Sequence, residues 1–421
     1  MILKKGVART VEEKKRILVV CQHFWPENFR INDICEGFTE RNIEVDVLCG
    51  EPNYPKGEWF DGYGPMKKRE ETHNGIKIYR SFEIKRGGNS NLRILLNYLC
   101  FPISSAHRVR KLYKNRYDRV FIYSLSPVYM GKAGLKIAKK KKIPSVTYVM
   151  DLWPENLYSV LNIKNKLLRK ILYKTSTKYY IKTDRLICMT RKAKEILLER
   201  TGKSEKDVLI MPQCCEKIYA EKMTDPELWG RFEGGFNLVY AGNISPAQDF
   251  PTLIRAARIL EDDGIPANWI IVGDGMSMKD VRASVEQEGL SHRFFFEGQK
   301  PMTDIPKYTG IASGLVAALT SSSLLECTIP AKVMSYIAAA RPVVLAMDGE
   351  AGEIVTDAEC GFASPAGNAE VLAESLKKLY GMTPEERELL GKRAGALYLE
   401  KYERDENLDR LAAFIFGEDN I

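Results

Sequence analysis

Several things are scarce in this sequence, and each scarcity argues against a class of function. Only four histidines occur among 421 residues, none at zinc-ligand spacing, so no structural or catalytic zinc is expected. The nine cysteines are scattered and odd in number. No Cys-x-x-Cys exists, and Cys214 and Cys215 are adjacent, poor geometry for a bridge. A reduced, cytoplasmic setting is the simplest expectation. No uninterrupted apolar run reaches the roughly 18 residues of a membrane span. There is no Walker sequence and no Gly-x-Ser-x-Gly elbow. Excess charge is small as well. The 63 basic and 55 acidic residues leave +8, which suits an anionic small molecule or membrane surface and is weak for nucleic acid. Met1 to Lys15 carries Lys4, Lys5, Arg9, Lys14 and Lys15 without the apolar core of a signal peptide, and reads as a disordered leader (1–15).

What the chain does have is alternation. Short β-rich runs are expected at Arg16 to Cys21, Glu44 to Cys49, Ile76 to Ser81, Asp118 to Tyr123, Pro144 to Met150, Arg185 to Met189 and Val208 to Met211. A helix is expected over Asn32 to Arg41. Continuous Val/Ile/Leu/Tyr runs separated by helices imply parallel sheets covered on both faces. The pattern loosens over Gln213 to Gly235, read as a linker, and then restarts. Phe236 to Tyr240, Asn268 to Val272, Phe294 to Phe296, Leu315 to Leu319 and Pro342 to Leu345 form the second series, with a helix over Pro251 to Asp262. The expectation is two doubly wound α/β halves, 16–212 and 236–400. A C-terminal helical stretch from Pro384 to Phe416 is expected to break near Gly395. Its last part, 401–421, is expected to pack back on the first half.

Open parallel sheets bind ligands beyond the carboxyl ends of their strands, so the loops there matter most. Tyr240-Ala-Gly-Asn-Ile-Ser-Pro-Ala-Gln-Asp249 follows one strand, with Ser245 or Asp249 as a helix cap. Val272-Gly-Asp-Gly-Met276 follows another, and position 278 lacks the third glycine of a dinucleotide fingerprint. Both also read as plain βα turns. In Thr328-Ile-Pro-Ala-Lys-Val-Met-Ser-Tyr336, Pro330 starts a helix and Thr328 caps it. Lys332 then sits in the first turn, where a cation opposes the helix dipole unless an anion binds there. Ser335 shares its face. In the first half, His23-Phe-Trp-Pro-Glu-Asn28 with Arg30, Asn53-Tyr-Pro55 and Asp151-Leu-Trp-Pro-Glu-Asn156 pair aromatic platforms with polar groups, as sugar sites do. Loop packing is the alternative for each. Asn91 to Phe101 is apolar with a basic flank, and reads either as a membrane-surface helix or as a core helix.

Together these strings resemble glycosyltransferase family 4, from about Arg16 onward. The strings are Phe24-Trp-Pro-Glu27, Pro52-Asn-Tyr-Pro-Lys-Gly57 with Asp61-Gly-Tyr-Gly64, Asp151-Leu-Trp-Pro-Glu155, Ala241-Gly-Asn-Ile244 with Gln248, Val272-Gly-Asp-Gly275, and Ile329-Pro-Ala-Lys332 leading to Arg341-Pro-Val-Val344. The resemblance is nearest to bacterial O-antigen and capsule N-acetyl-fucosaminyltransferase-like enzymes. It implies the GT-B fold, with two Rossmann-like domains facing across a cleft. It implies a UDP-sugar donor, retention at the anomeric carbon, a polyprenyl-diphosphate-linked acceptor, and an enzyme peripheral to the inner face of the plasma membrane. No cofactor and no nucleic-acid partner are expected. No Asp-x-Asp pair occurs, so no essential metal is expected either.

By this resemblance Gly242, Asn243, Gln248, Gly273, Asp274, Gly275, Glu326, Lys332 and Ser335 face the donor. His23, Trp25, Glu27, Asn28, Arg30, Asn53, Tyr54, Trp153 and Glu155 shape the acceptor side, with Asp151 as acid/base or acceptor-positioning group. The chain departs from the family at Asn243, where the family has an arginine, at Gln248, where it has a lysine, and at Ser335, where it has a glutamate. Met150 stands where a histidine is common. Lys332 is the candidate for the missing cation. A UDP-sugar epimerase of the same architecture and a non-catalytic nucleotide-sugar-binding protein are the rivals.

Overall fold

The computed structural model describes residues 14–418, apart from 55–56, 66, 88–90, 156, 158–162, 164 and 323–324. Residues 1–13 of the expected leader lie outside the described residues. Lys15 Nζ donates to Glu418 Oε2 at 2.7 Å.

The first sheet has eight strands: β1 (Arg16–Val20), β2 (Glu44–Cys49), β3 (Glu70–His73), β4 (Ile76–Arg80), β5 (Arg119–Ser124), β6 (Ser145–Val149), β7 (Arg185–Cys188) and β8 (Val208–Ile210). Their spatial order is β3-β4-β2-β1-β5-β6-β7-β8. The second sheet has six: β9 (Phe236–Ala241), β10 (Ala267–Val272), β11 (Phe294–Gly298), β12 (Gly314–Ala318), β13 (Val343–Ala346) and β14 (Gly361–Ser364), in the order β11-β10-β9-β12-β13-β14. Pairing is parallel within the second sheet and between β1, β2, β4 and β5; β3 runs antiparallel to β4. Both are the mostly parallel α/β sheets expected.

Each sheet reverses its winding beside its first strand. β1 lies between β2 and β5, and β9 lies between β10 and β12. Loops leaving neighbouring strands there turn to opposite faces and open a crevice at the carboxyl ends. That places the His23–Glu27 loop at one switch point and the Gly242–Gln248 loop at the other.

The strands form because they are buried on both faces: every residue of β6, β9, β12 and β13 is buried. The helix Phe250–Asp262 lays Phe250, Leu253, Ile254, Ala257 and Leu260 onto the second sheet at helical spacing. Thr190 caps the helix Arg191–Thr201 by accepting from Ala193 N, and Gly202 ends it at φ 65°.

Two strands were not expected from the sequence, and one expectation is corrected. The polar run Glu70–His73 is an edge strand, which its lack of apolar alternation concealed. Gly361–Ser364 is also a strand. Gly361 is required there because a Cβ would lie 1.8 Å from Val343 O. The C-terminal helical stretch is interrupted just past Gly395: the helix Pro384–Leu397 ends two residues beyond it, a wide turn covers Tyr398–Tyr402, and Arg404–Phe416 follows. Gly391 and Gly395 let the helix approach Ala340, whose oxygen would lie 2.5 Å from a Cβ at Gly391. Finally, the stretch read as a linker contains the helix Pro226–Phe232. Asp225 caps it, and Leu228 and Phe232 enter a buried cluster of the second half.

By proximity the chain divides into two compact units. One gathers the chain up to Tyr148, Lys178–Leu186 and the chain from Ala412 on. The other is Val149–Thr177 with Ile187–Leu411. Within the first, the end of the C-terminal helix is held by arginines. Arg119 Nη2 donates to Phe416 O at 2.7 Å and Arg185 Nη1 to Phe414 O at 2.8 Å. Guanidinium groups suit the unpaired carbonyls of a helix C-terminus. None of the nine cysteines is in a disulfide.

Candidate functional site

In the second unit the loops after β9 and β10 lie backbone against backbone. Gly242 N donates to Val272 O at 2.9 Å and Ile244 N to Asp274 O at 3.0 Å. A Cβ on Gly273, at φ 139°, would lie 1.9 Å from Gly242 O, and one on Gly275 would lie 2.1 Å from Ile244 O. These two glycines are therefore demanded by loop-on-loop packing. Gly242 differs: a Cβ there would meet the Lys332 side chain at 3.0 Å, so it leaves room for that lysine.

Lys332 is in the first turn of the helix Ala331–Ala338. Its ammonium donates to Tyr240 Oη and to Gln248 Oε1, each at 2.5 Å, and lies 3.8 Å from the centre of the Tyr240 ring. Tyr240 in turn donates to Asn243 O at 2.6 Å. Among the described residues Lys332 has no carboxylate partner. Burial lowers its ammonium to about 7. The helix begins after Pro330, and Val333 N donates to Pro330 O at 2.9 Å. Cation and aromatic ring thus meet at the first turn of a helix beside the switch-point crevice, and that set suits a phosphate or diphosphate.

The other donor-side residues lie in the same unit with varied commitments. Asn243 and Asp274 are exposed. Asp274 Oδ1 accepts from Gly275 N at 2.7 Å. Ser335 is buried, and its hydroxyl contacts Ala331 O at 3.4 Å. Glu326 is paired with Lys192.

In the first unit, the loops after β1 and β2 are tied by one carboxylate. Glu27 Oε1 accepts from Asn53 N at 2.8 Å and Tyr54 N at 2.6 Å, while Oε2 lies 2.9 Å from His23 Nδ1. Asn53 is wholly buried; its Oδ1 accepts from Arg86 N at 3.1 Å and its Nδ2 donates to Glu51 O at 2.9 Å. Glu27 and Asn53 therefore hold the loops. Trp25 stacks on His73 at 3.9 Å, so one ring face is covered. Asn28 is exposed and Arg30 half-buried. Beneath the loops, Gln22 Nε2 and Asn97 Nδ2 each donate to Glu83 Oε1 at 2.5 Å. Burial pushes the Glu83 carboxyl up to about 7, against the opposing effect of His23.

The remaining motif lies in the second unit. Asp151 is half-buried and partnered, Trp153 is buried, and Glu155 pairs with Arg200 at 3.2 Å. Arg200 also donates to Trp153 O at 3.2 Å and Ser176 Oγ at 2.7 Å. The sequence missed Tyr240, which looks like any strand aromatic, and the Gln22–Glu83–Asn97 cluster, whose members are far apart in the chain. No sequence signal marks either.

Comparison with known proteins agrees with this layout. The profile of Glycosyltransferase Family 4 matches residues 29–214, and that of Glycosyl transferases group 1 matches 222–396. Among solved structures, a sucrose-phosphate synthase from Thermosynechococcus elongatus superposes with TM-score 0.74 at 13% identity, over 95% of this chain and 98% of that one. Anabaena Alr3699/HepE, solved in complex with UDP-glucose, superposes with TM-score 0.68 at 15% identity, over 94% and 98%. At these identities the likeness establishes the fold. A 2-deoxystreptamine glucosyltransferase from Streptomyces kanamyceticus is 27% identical over 124 residues, 28% of this chain and only 32% of that relative's length. The chain is a glycosyltransferase of GT-B fold, built from a family 4 domain followed by a group 1 domain.

Proposed function

We propose that this enzyme moves a sugar from a UDP-sugar donor to a polyprenyl-diphosphate-linked glycan acceptor, with retention at the anomeric carbon. The sugar belongs to the N-acetylated amino or deoxyamino class, and the product to O-antigen or capsule assembly. One observation carries the donor assignment: Lys332 has no carboxylate partner among the described residues, and its ammonium donates only to the neutral Tyr240 and Gln248. Gln248 stands where the family carries a lysine, so Lys332 brings a cation to that spot from another element. A leaving diphosphate develops charge that needs such a cation and aimed amides. Gly242 keeps the approach open, while Asn243, Asp274 and Ser335 border the donor, and Glu326 reaches a sugar hydroxyl. The Glu27-tied loops bind the acceptor, and Asp151 acts as acid/base or positions it. No metal or other cofactor takes part in this reading.

Incubation with donor alone separates this reading from its rivals. A transferase leaves the sugar's configuration unchanged and releases UDP only as an acceptor or water is glycosylated. An epimerised nucleotide sugar supports the epimerase, and binding without any UDP release supports the non-catalytic protein.

A membrane-surface role draws support from the helix Asn91–Arg108. Leu95, Leu96, Leu99 and Ile103 are 45%, 40%, 51% and 67% exposed, whereas Asn97, Phe101 and Ser105 are buried. Apolar residues thus face outward, next to the exposed Arg93, Arg110, Lys111 and Lys114, a pattern suited to an anionic bilayer surface, whereas Arg108 is buried and pairs with Glu70. No helix among the described residues is long and apolar enough to cross a membrane. Replacing Leu95 and Leu96 with serine is expected to weaken sedimentation with anionic liposomes while leaving the melting temperature unchanged. Undiminished binding by the folded double variant would remove this helix from the docking surface.

A further inference from the structure

The helix Lys166–Lys182 carries Lys166, Arg169, Lys170, Lys174, Lys178 and Lys182 and no acidic residue. Its first three turns, up to Thr177, belong to the second unit. Asn165 starts it: its Oδ1 accepts from Leu168 N and its carbonyl oxygen from Arg169 N, both at 3.0 Å. Arg200 holds one side. Its guanidinium donates to Ser176 Oγ at 2.7 Å and to Thr177 Oγ1 at 3.2 Å, and lies over the Tyr173 ring at 4.3 Å. The other side is open. From Lys166 to Thr175 every residue is exposed except Leu172, which is half-buried, and Leu167 and Ile171 are 69% and 51% exposed. A spacing of four puts Leu167 and Ile171 in one stripe and Lys166, Lys170 and Lys174 in the stripe beside it. These three lysines make no ion pair among the described residues. Lys166 and Arg169 also oppose the dipole of the helix start, a cost that a nearby anion removes.

We propose that this face docks on an anionic phospholipid bilayer and gives the second unit its own hold on the membrane surface. The proposal extends, and rests on, the membrane-surface reading of the helix Asn91–Arg108, which belongs to the first unit. Three features favour lipid over a protein partner. Lysine is depleted in protein–protein contacts, yet here lysines and apolar side chains alternate around one face. A lysine stem lies along an apolar surface while its ammonium reaches phosphate, so Leu167, Leu168 and Ile171 enter the acyl boundary without stranding a charge. Charge of one sign, with no acidic residue on the helix, matches a surface of the opposite sign.

The test is sedimentation of the full chain with phosphatidylcholine vesicles, with and without phosphatidylglycerol. Two double variants, Leu167→Ser with Ile171→Ser and Lys170→Gln with Lys174→Gln, are each expected to bind the phosphatidylglycerol vesicles about tenfold or more weaker, with the melting temperature unchanged because these side chains are exposed. Added salt is expected to weaken wild-type binding and to matter less for the lysine variant. Leu167→Trp reports the position directly: vesicles whose acyl chains carry bromine are expected to quench its fluorescence beyond that of the five native tryptophans. Undiminished binding by both double variants, or a Leu167→Trp that sediments without added quenching, would overturn the proposal. So would loss of a concentration-dependent dimer in the Leu167/Ile171 variant with vesicle binding intact, which would assign the face to a second copy. Leu95→Ser with Leu96→Ser separates the two helices. If it alone weakens binding, the membrane-surface reading stands and this proposal falls. If the Leu167/Ile171 pair alone does, this proposal stands and the helix Asn91–Arg108 is excluded. A wild type that ignores anionic vesicles would overturn both.

Discussion

Replacing Lys332 with alanine is expected to cut transfer at least about tenfold, about 1.4 kcal/mol, through weaker donor binding. The ammonium is held by Tyr240 and Gln248, both neutral, and by the Tyr240 ring. Nothing in that environment neutralises it, so a diphosphate gains more from it than from a lysine already paired. The pH dependence provides a second signature. Burial lowers this ammonium to about 7 from an ordinary 10.5. Between those values the unfolded chain holds the extra proton, so Lys332 makes the free protein gain stability as pH rises above about 7. Its destabilising effect is fully present only below that point. A bound diphosphate favours the charged form and draws the proton back. UDP affinity is therefore expected to fall as pH climbs above about 7, by up to about tenfold per unit, and to lose that slope in Lys332→Ala. Calorimetric titrations at several pH values check both effects. An unchanged affinity and slope in the variant would take Lys332 out of the donor site.

The second large effect is expected at Gly273. Alanine there places a Cβ 1.9 Å from Gly242 O, at φ 139°. The obstacle is main chain of the neighbouring loop, so the two loops must separate. The expected cost is about 3 kcal/mol or more, with loss of UDP binding. Gly264→Ala is the control: φ is 71° and nothing lies within 4 Å of its Cβ, so only backbone strain of about 1 kcal/mol is expected. Urea unfolding of the two variants checks the difference. Equal stability would mean that the loops are not held together as described, and that Gly273 serves ligand approach instead.

These two residues mark what sequence can and cannot convey. Lys332 was legible because a cation in a first helical turn contradicts the local dipole, and a local contradiction points to a ligand. Its seat was not legible, since Tyr240 is indistinguishable from a structural strand aromatic until the loop after β9 curls back on it. Glycines in Gly273-Asp-Gly275 signalled close approach, but not whether a ligand or another loop comes close. Glu27 and Asn53 read as acceptor contacts because they are polar residues at strand ends. Their hydrogen-bonding capacity is instead spent on main chain and on His23, which depends on pairing between loops 26 residues apart in sequence. The strands themselves were readable within a residue or two, because burial on both faces leaves unbroken apolar runs. Glu70–His73 escaped because a short polar edge strand takes its order from β4 alone.

The most direct test of the donor assignment is thermal stabilisation of the purified protein, wild type and Lys332→Ala, by UDP-, GDP-, dTDP- and CMP-sugars. The account predicts selective stabilisation of the wild type by a UDP-sugar, about 2.7 kcal/mol at a hundred times its Kd, with the variant needing about tenfold more ligand. Absence of stabilisation by any of these nucleotides, or equal stabilisation of the two proteins, would contradict it.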